Sequence, residues 1–146
     1  MAYVVGQSVA NGGPGSSSSR PSPIAMRCCL SPPNTTGRFP GGLKNAIDWG
    51  SRPWGQNSFS HKPSGVIGTS PGAIGTALAQ SQLRSVLCYC NSPLMNTVEA
   101  YVQFREGMVS EDGEVSDERT REFLRKYMEE LHGFVVRVLT VLPRAT

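Results

Sequence analysis

The chain has 146 residues, 17% of them charged, with a formal net charge of +3, enough length for one domain core if all of it is used. Its Lys and Arg are scattered rather than gathered on one face among aromatics, which argues against nucleic acid as a partner, and no apolar run approaches the ~20 residues of a membrane span. The start, Met1-Ala-Tyr-Val-Val-Gly6, lacks a basic n-region and a long apolar h-region, and Cys28-Cys29 and Cys88-x-Cys90 lack zinc spacing, so a cytoplasmic protein with reduced thiols and no metal is expected.

Residues 7 to 38 are rich in Gly, Pro, Ser, Asn and Thr, around Gly12-Gly13-Pro14-Gly15 and Ser16 to Ser19. Such a composition buries too little apolar area to offset its ordering entropy, so residues 1–39 are expected to be a disordered segment. From Pro40 the character changes, and residues 40–146 read as a folded unit. Leu43, Ala46, Ile47 and Trp49 fit a short helix opened by Pro40-Gly41-Gly42, with Trp49 in the core and Asn45 and Asp48 tying down their own helix. Residues 51 to 62 read as a loop, and Lys62-Pro-Ser-Gly-Val-Ile-Gly68 as a central strand.

Gly72 to about Cys90 is helical in composition, with Ile74, Leu78, Leu83, Val86 and Leu87 on the apolar side. Ser92-Pro-Leu-Met95 and Ala100-Tyr-Val-Gln-Phe104 are strand pieces, and Glu111-Asp-Gly113 is a turn. In the last helix Ser116 is the expected N-cap, with Asp117 and Glu118 in the first turn. Phe123, Tyr127, Leu131, Phe134, Val138 and Leu142 recur at steps of three and four, widened by Leu124, Met128, Val135 and Leu139. That stripe packs on a sheet. The order helix, strand, helix, strand, helix is the second half of a doubly wound α/β domain with a parallel sheet in three layers.

Ligands in such sheets sit beyond the carboxyl ends of the strands. Gly68-Thr69-Ser70-Pro71-Gly72-Ala73-Ile74-Gly75 leaves a strand and opens a helix, as such a site requires. Its glycines let backbone approach a flat ring or a phosphate, and Thr69 and Ser70 can donate hydroxyl hydrogen bonds. The spacing is neither the dinucleotide fingerprint nor a Walker A loop. On these residues alone, a tight packing turn, a ligand loop and a nucleotide-binding module remain open.

Pro40-Gly-Gly-Leu-Lys-Asn-Ala-Ile-Asp-Trp49, Ser51-Arg52, Lys62-Pro63, Gly68 to Gly75, Leu83-Arg84 and Asn96-x-x-Glu99 are similar, in order and spacing, to the NADPH-dependent FMN reductase family, which includes quinone and chromate reductases. The resemblance extends over about residues 40–142. It implies a flavodoxin-like oxidoreductase, a homodimer or homotetramer, in which bound FMN takes hydride from NADPH or NADH. Electrons then pass to small-molecule acceptors: quinones, azo dyes, metal oxyanions or free flavin. The flavin performs the chemistry, so the resemblance assigns no catalytic side chain. It places Thr69, Ser70 and Gly72 along the isoalloxazine edge, Pro40 and Gly41 beside the flavin loop, and Arg52 and Glu99 in a charged network across a subunit interface. A solvated surface pair is the alternative for Arg52 and Glu99. The alternative for the whole chain is a non-enzymatic α/β fragment or interaction module without bound flavin.

Two family elements are missing. The phosphate loop, Gly-Ser-x-Arg with a later Ser and Asn, is not supplied by Gln7 to Asn11, although Val4-Val5-Gly6 imitates the end of the strand before it. The flavin loop Pro-Glu-Tyr-Asn is replaced by Ser31-Pro-Pro-Asn-Thr-Thr-Gly-Arg-Phe39. Codons exist for residues 25 to 39 whose two-base-shifted reading spells Asp-Ala-Leu-Leu-Phe-Val-Ala-Pro-Glu-Tyr-Asn-Arg-Ser-Phe-Pro-Gly, a family-like third strand and flavin loop running into Gly41-Gly42. Residues before Pro40 are therefore expected to be frame-shifted, with the N-terminal strands absent or degenerate. The coding DNA upstream of Pro40 tests this.

Overall fold

A computed structural model describes residues 37–142 in full and the backbone of residues 3–9 and 25–28. Its elements are β1 (Tyr3–Val9), β2 (Ala25–Cys28), α1 (Gly41–Gly50), β3 (Ser64–Ser70), α2 (Ala77–Tyr89), β4 (Ala100–Gln103) and α3 (Glu118–Val141). From α1 onward the order is the expected helix, strand, helix, strand, helix. The sheet order is β2-β1-β3-β4. β3 and β4 run parallel, with Ile67 opposite Ala100 and Ser70 opposite Gln103. β1 lies between β2 and β3 and runs antiparallel to both, pairing Tyr3 with Gly68 and Gln7 with Ser64. The disorder expected over residues 7 to 38 falls for most of its length outside the described residues; residues 25–28 within it pair as β2.

Helices cover both faces of the sheet, the three-layer arrangement the sequence predicts. A Cβ added at Gly65 would meet Leu131 and Tyr127 of α3, whereas one at Gly68 would meet Thr76 at the start of α2. By the two-residue period of a strand, Gly65, Ile67 and Thr69 face α3, and Ser64, Val66, Gly68 and Ser70 face α1 and α2. The core divides accordingly. Leu43 and Ile47 of α1 pack with Val66 and with Ala79, Leu83 and Leu87 of α2. Met95, Ala100, Tyr127, Leu131 and Val135 form the second cluster.

Several local expectations shift. Trp49 is 75% exposed rather than core, because Leu43 and Ile47, one turn apart, already define the buried stripe of α1 and Trp49 falls off it. α2 begins at Ala77 rather than Gly72, since residues 71 to 76 form a turn with Gly75 at φ +60°. Ile74 and Leu78 are consequently exposed, at 72% and 68%, and Ala79 and Gln80 take the buried positions. The central strand runs two residues past Gly68, through Thr69 and Ser70. Of the strand piece at 92 to 95, only a bridge between Ser64 and Leu94 forms.

α3 is capped by Asp117, whose carboxylate accepts from the Thr120 amide at 2.8 Å. Ser116, the expected cap, instead donates its hydroxyl to the Gly107 and Met108 carbonyls. The α3 stripe buries Tyr127, Leu131 and Val135, while Met128 stays 40% exposed. Asp48 holds its helix as expected, through a 2.6 Å ion pair with Lys44. No helix among the described residues is long and apolar enough to cross a membrane.

Candidate ligand corner at the sheet rim

β3 ends in a polar step and a tight turn. The Ser70 hydroxyl, on a residue 7% exposed, accepts from the Gly72 amide at 3.1 Å. The Gly75 amide donates to the Gly72 carbonyl, and the Ala77 amide to that of Ile74. The amides of Ala73 and Ile74 have no protein acceptor among the described residues. A Cβ at Gly68 would lie 2.2 Å from Thr76 Oγ1, whereas one at Gly72 would meet only Ser70 Oγ, at 3.5 Å. The corner is therefore packed shut beneath Gly68 and open at Gly72. It offers unpartnered backbone donors and no side chain in the way, as the edge of a flat polar ring or an anion requires.

The corner is held from both sides. Gln80, fully buried on α2, donates through Nε2 to Thr76 Oγ1 and to the Ala100 carbonyl, both at 2.8 Å. Gln103, the last residue of β4, donates to the Pro71 carbonyl at 3.1 Å. Gln80 was not singled out in the sequence, although it shares a helical face with Leu83 and Leu87 and so carries a periodic signal.

The structure separates the residues marked as cofactor-binding. Thr69 and Ser70 lie on the strand end, and only Gly72 lies on the open turn. Thr69 faces α3, and its Oγ1 is buried without a partner among the described residues. Ser70 is committed to the turn itself. Pro40 and Gly41 form the start of α1, where Pro40 supplies no side-chain cap and a Cβ on Gly41 would touch nothing. No hydrogen bond links them to the corner among the described residues. Arg52 and Glu99 are both exposed and in no ion pair, with each other or with any other described residue. Burial, and then the neighbouring Glu99, push the Tyr101 phenol above its ordinary range.

The antiparallel β1 limits what the rim offers. Tyr3 sits beside Gly68 and Gln7 beside Ser64, so the chain leaves β1 at the end of the sheet opposite the Ser70–Thr76 turn. Among the described residues, the turn after β3 therefore has no neighbouring strand-to-helix loop from β1.

A further cavity of about 500 Å³ opens at the same rim, beyond β4. It lies between the residues following Gln103 and the start of α3, and was not foreseen from the sequence. Its arginines are isolated charges with no periodic pattern to mark them.

Comparison with known proteins places this geometry. Residues 30–107 match the family model for NADPH-dependent FMN reductase. The chain is 47% identical over 97 residues to a 2-hydroxy-1,4-benzoquinone reductase from a Burkholderia species, covering 66% of this chain and 53% of that protein. It is 41% identical over 96 residues to a quinone reductase from Pseudomonas putida, covering 66% and 51%. Among solved structures, FerB, a flavoenzyme NAD(P)H:(acceptor) oxidoreductase from Paracoccus denitrificans, superposes with a TM-score of 0.69 at 43% identity, over 72% of this chain and 58% of that one. The chain thus spans about half the length of the curated relatives it matches. The match takes in α1, β3, the open corner, α2 and β4, and this chain belongs to the NADPH-dependent FMN reductase family.

Proposed function

We propose that this chain derives from an NAD(P)H-dependent oxidoreductase that holds FMN at the Ser70–Thr76 corner and reduces quinones or related acceptors, and that its own flavin site is incomplete. The observation that carries this reading is the corner itself: a β3-to-α2 turn open at Gly72, with two amides that have no acceptor among the described residues, inside the stretch shared with the family. Bound FMN would supply two-electron chemistry between a nicotinamide and an acceptor. The chain's residues would position it. Gly72 admits the ring edge, the amides of Ala73 and Ile74 donate to its polar atoms, and Ser70 keeps the turn in shape.

One corner fits a flavin; one corner does not make a cradle. A flavin phosphate needs several converging donors, which in open α/β sheets come from the loop after a neighbouring strand. β1 runs the wrong way to supply that loop beside Gly68. A frame-shifted segment before Pro40 accounts for this, since it removes the family's flavin loop while leaving everything after it intact.

Purification in the presence of FMN tests the reading. The chain is expected to retain far less than one flavin per polypeptide by visible absorbance, and to show little NAD(P)H-dependent quinone reduction. Replacing residues 25–39 by the shifted reading given above as far as its Phe, so that it joins Pro40 directly, should raise flavin retention. Stoichiometric yellow flavin on the unaltered chain would refute the incomplete site. Failure of the repaired chain to bind any flavin would refute the assignment of the corner.

A further inference from the structure

Among the described residues, the most exposed aromatic side chains stand at the end of the molecule opposite the corner. Trp49 lies one residue before the end of α1, Trp54 in the turn that follows, and Tyr89 at the end of α2; they are 75%, 81% and 83% exposed. The segment between α1 and β3 draws these ends together. The Ser58 amide donates to the Gly50 carbonyl at 3.0 Å, the Asn57 side chain to the Cys90 carbonyl at 2.7 Å, and the His61 amide to the Asn91 carbonyl at 3.0 Å. Phe59 packs over Gly50, where an added Cβ would lie 2.8 Å from its ring. The aromatics are therefore carried on a braced end. Exposed ring area is costly in water, and Trp and Tyr, apolar rings with one polar edge, are the residues that gather at the headgroup level of bilayers.

Charge is divided in the same sense. From Gly37 to Val98 the one carboxylate is Asp48, against five Lys and Arg, whereas Glu99 to Leu142 holds ten carboxylates against six Lys and Arg. Asp48 is held by Lys44 at 2.6 Å. Arg52 and Lys62, on either side of Trp54, are in no ion pair among the described residues. Across the sheet, α3 turns Glu118, Glu122 and Glu129 to solvent. A negatively charged surface attracts the α1–α2 side and repels the α3 side, which selects one orientation. We propose that this end of the molecule docks on an anionic phospholipid bilayer, with Trp49, Trp54 and Tyr89 at the headgroup level and Arg52 and Lys62 against lipid phosphates. β3 starts at this end and runs seven residues to Ser70, about 20 Å at the rise of a strand. Docking therefore leaves the Ser70–Thr76 corner away from the lipid and open to water, and it requires no flavin.

Both tryptophans of the chain lie at this end, so their emission reports on it directly. The full chain is titrated with vesicles of phosphatidylcholine alone and of phosphatidylcholine mixed with phosphatidylglycerol, at low and at high salt. With the anionic vesicles, tryptophan emission is expected to shift to the blue and to be quenched by brominated acyl chains, and the protein to sediment with the lipid. Binding should weaken at high salt, and should fall about tenfold or more in R52Q/K62Q, since each cation near such a surface is worth about fivefold. W49S/W54S should lose co-sedimentation while keeping its circular dichroism, because both residues lie outside the two core clusters. No binding to anionic vesicles, equal binding to neutral ones, or full binding by either double variant would each overturn the assignment. So would a blue shift that grows with protein concentration in the absence of lipid, which would make a second copy of the chain the occupant.

Discussion

Gly68 and Gly72 are one corner's two glycines, and they answer to different constraints. At Gly68 the backbone passes so close to Thr76 that an added Cβ would lie 2.2 Å from its hydroxyl and 3.0 Å from its Cβ. Thr76 cannot swing away, because Gln80 holds its hydroxyl at 2.8 Å. Gly68→Ala should therefore destabilise the chain by about 1–3 kcal/mol in urea unfolding, as overpacking does. Gly72→Ala would make only an ordinary contact with Ser70 Oγ, at 3.5 Å, and should stay within about 0.5 kcal/mol of the parent. Equal effects of the two substitutions would mean that the corner is looser than its geometry states.

α3 shows how an element carries a polar flaw at its centre. Tyr127 is 1% exposed, packed over Gly65, and its hydroxyl has no partner among the described residues. Burial pushes its phenol up to about 12. The unfolded chain ionises near pH 10 while the folded one stays protonated, so stability is complete below pH ~10 and falls as pH rises toward 12. Tyr127→Phe removes the unsatisfied hydroxyl and should leave stability at pH 7 unchanged or raise it by up to about 1 kcal/mol. It should also flatten the alkaline decline, read as melting temperature against pH. A large loss at pH 7 would show that the hydroxyl has a partner. The ion pairs on the outer face of α3, Arg121 with Glu118 and Arg125 with Glu122 and Glu129, are all exposed and add little.

At the scale of the molecule, one sheet separates two cores. Leu83 belongs to the cluster under α1 and α2, and Leu131 to the cluster under α3. Each is at most 2% exposed. Truncation of either to Ala should cost about 2–5 kcal/mol. With no shared partners, the two penalties should add within about 0.5 kcal/mol if the double variant still folds cooperatively, which equilibrium denaturation of the three variants reads directly. Strong non-additivity would mean that the clusters communicate through the β3 backbone.

The elements from α1 to α3 were legible because each carries its own period: Leu43 and Ile47 one turn apart, the apolar run ending in β3, and the long stripe from Phe123 onward. The corner after β3 was legible from the glycine spacing and its blocks of family likeness. What the amino-acid order could not decide were the choices made by packing. Trp49 lies outside because Leu43 and Ile47 already fill the face turned to the sheet. Helix α2 starts five residues late because residues 71 to 76 turn first, and Asp117 displaces Ser116 as cap because its carboxylate reaches the Thr120 amide. The gathering of Arg105 and Arg119 around one cavity arises only when the segment after β4 folds against the first turns of α3. Local periodicity is a property of neighbours in sequence, whereas a cavity, a cap choice and a strand's direction depend on which distant surfaces compete for the same space.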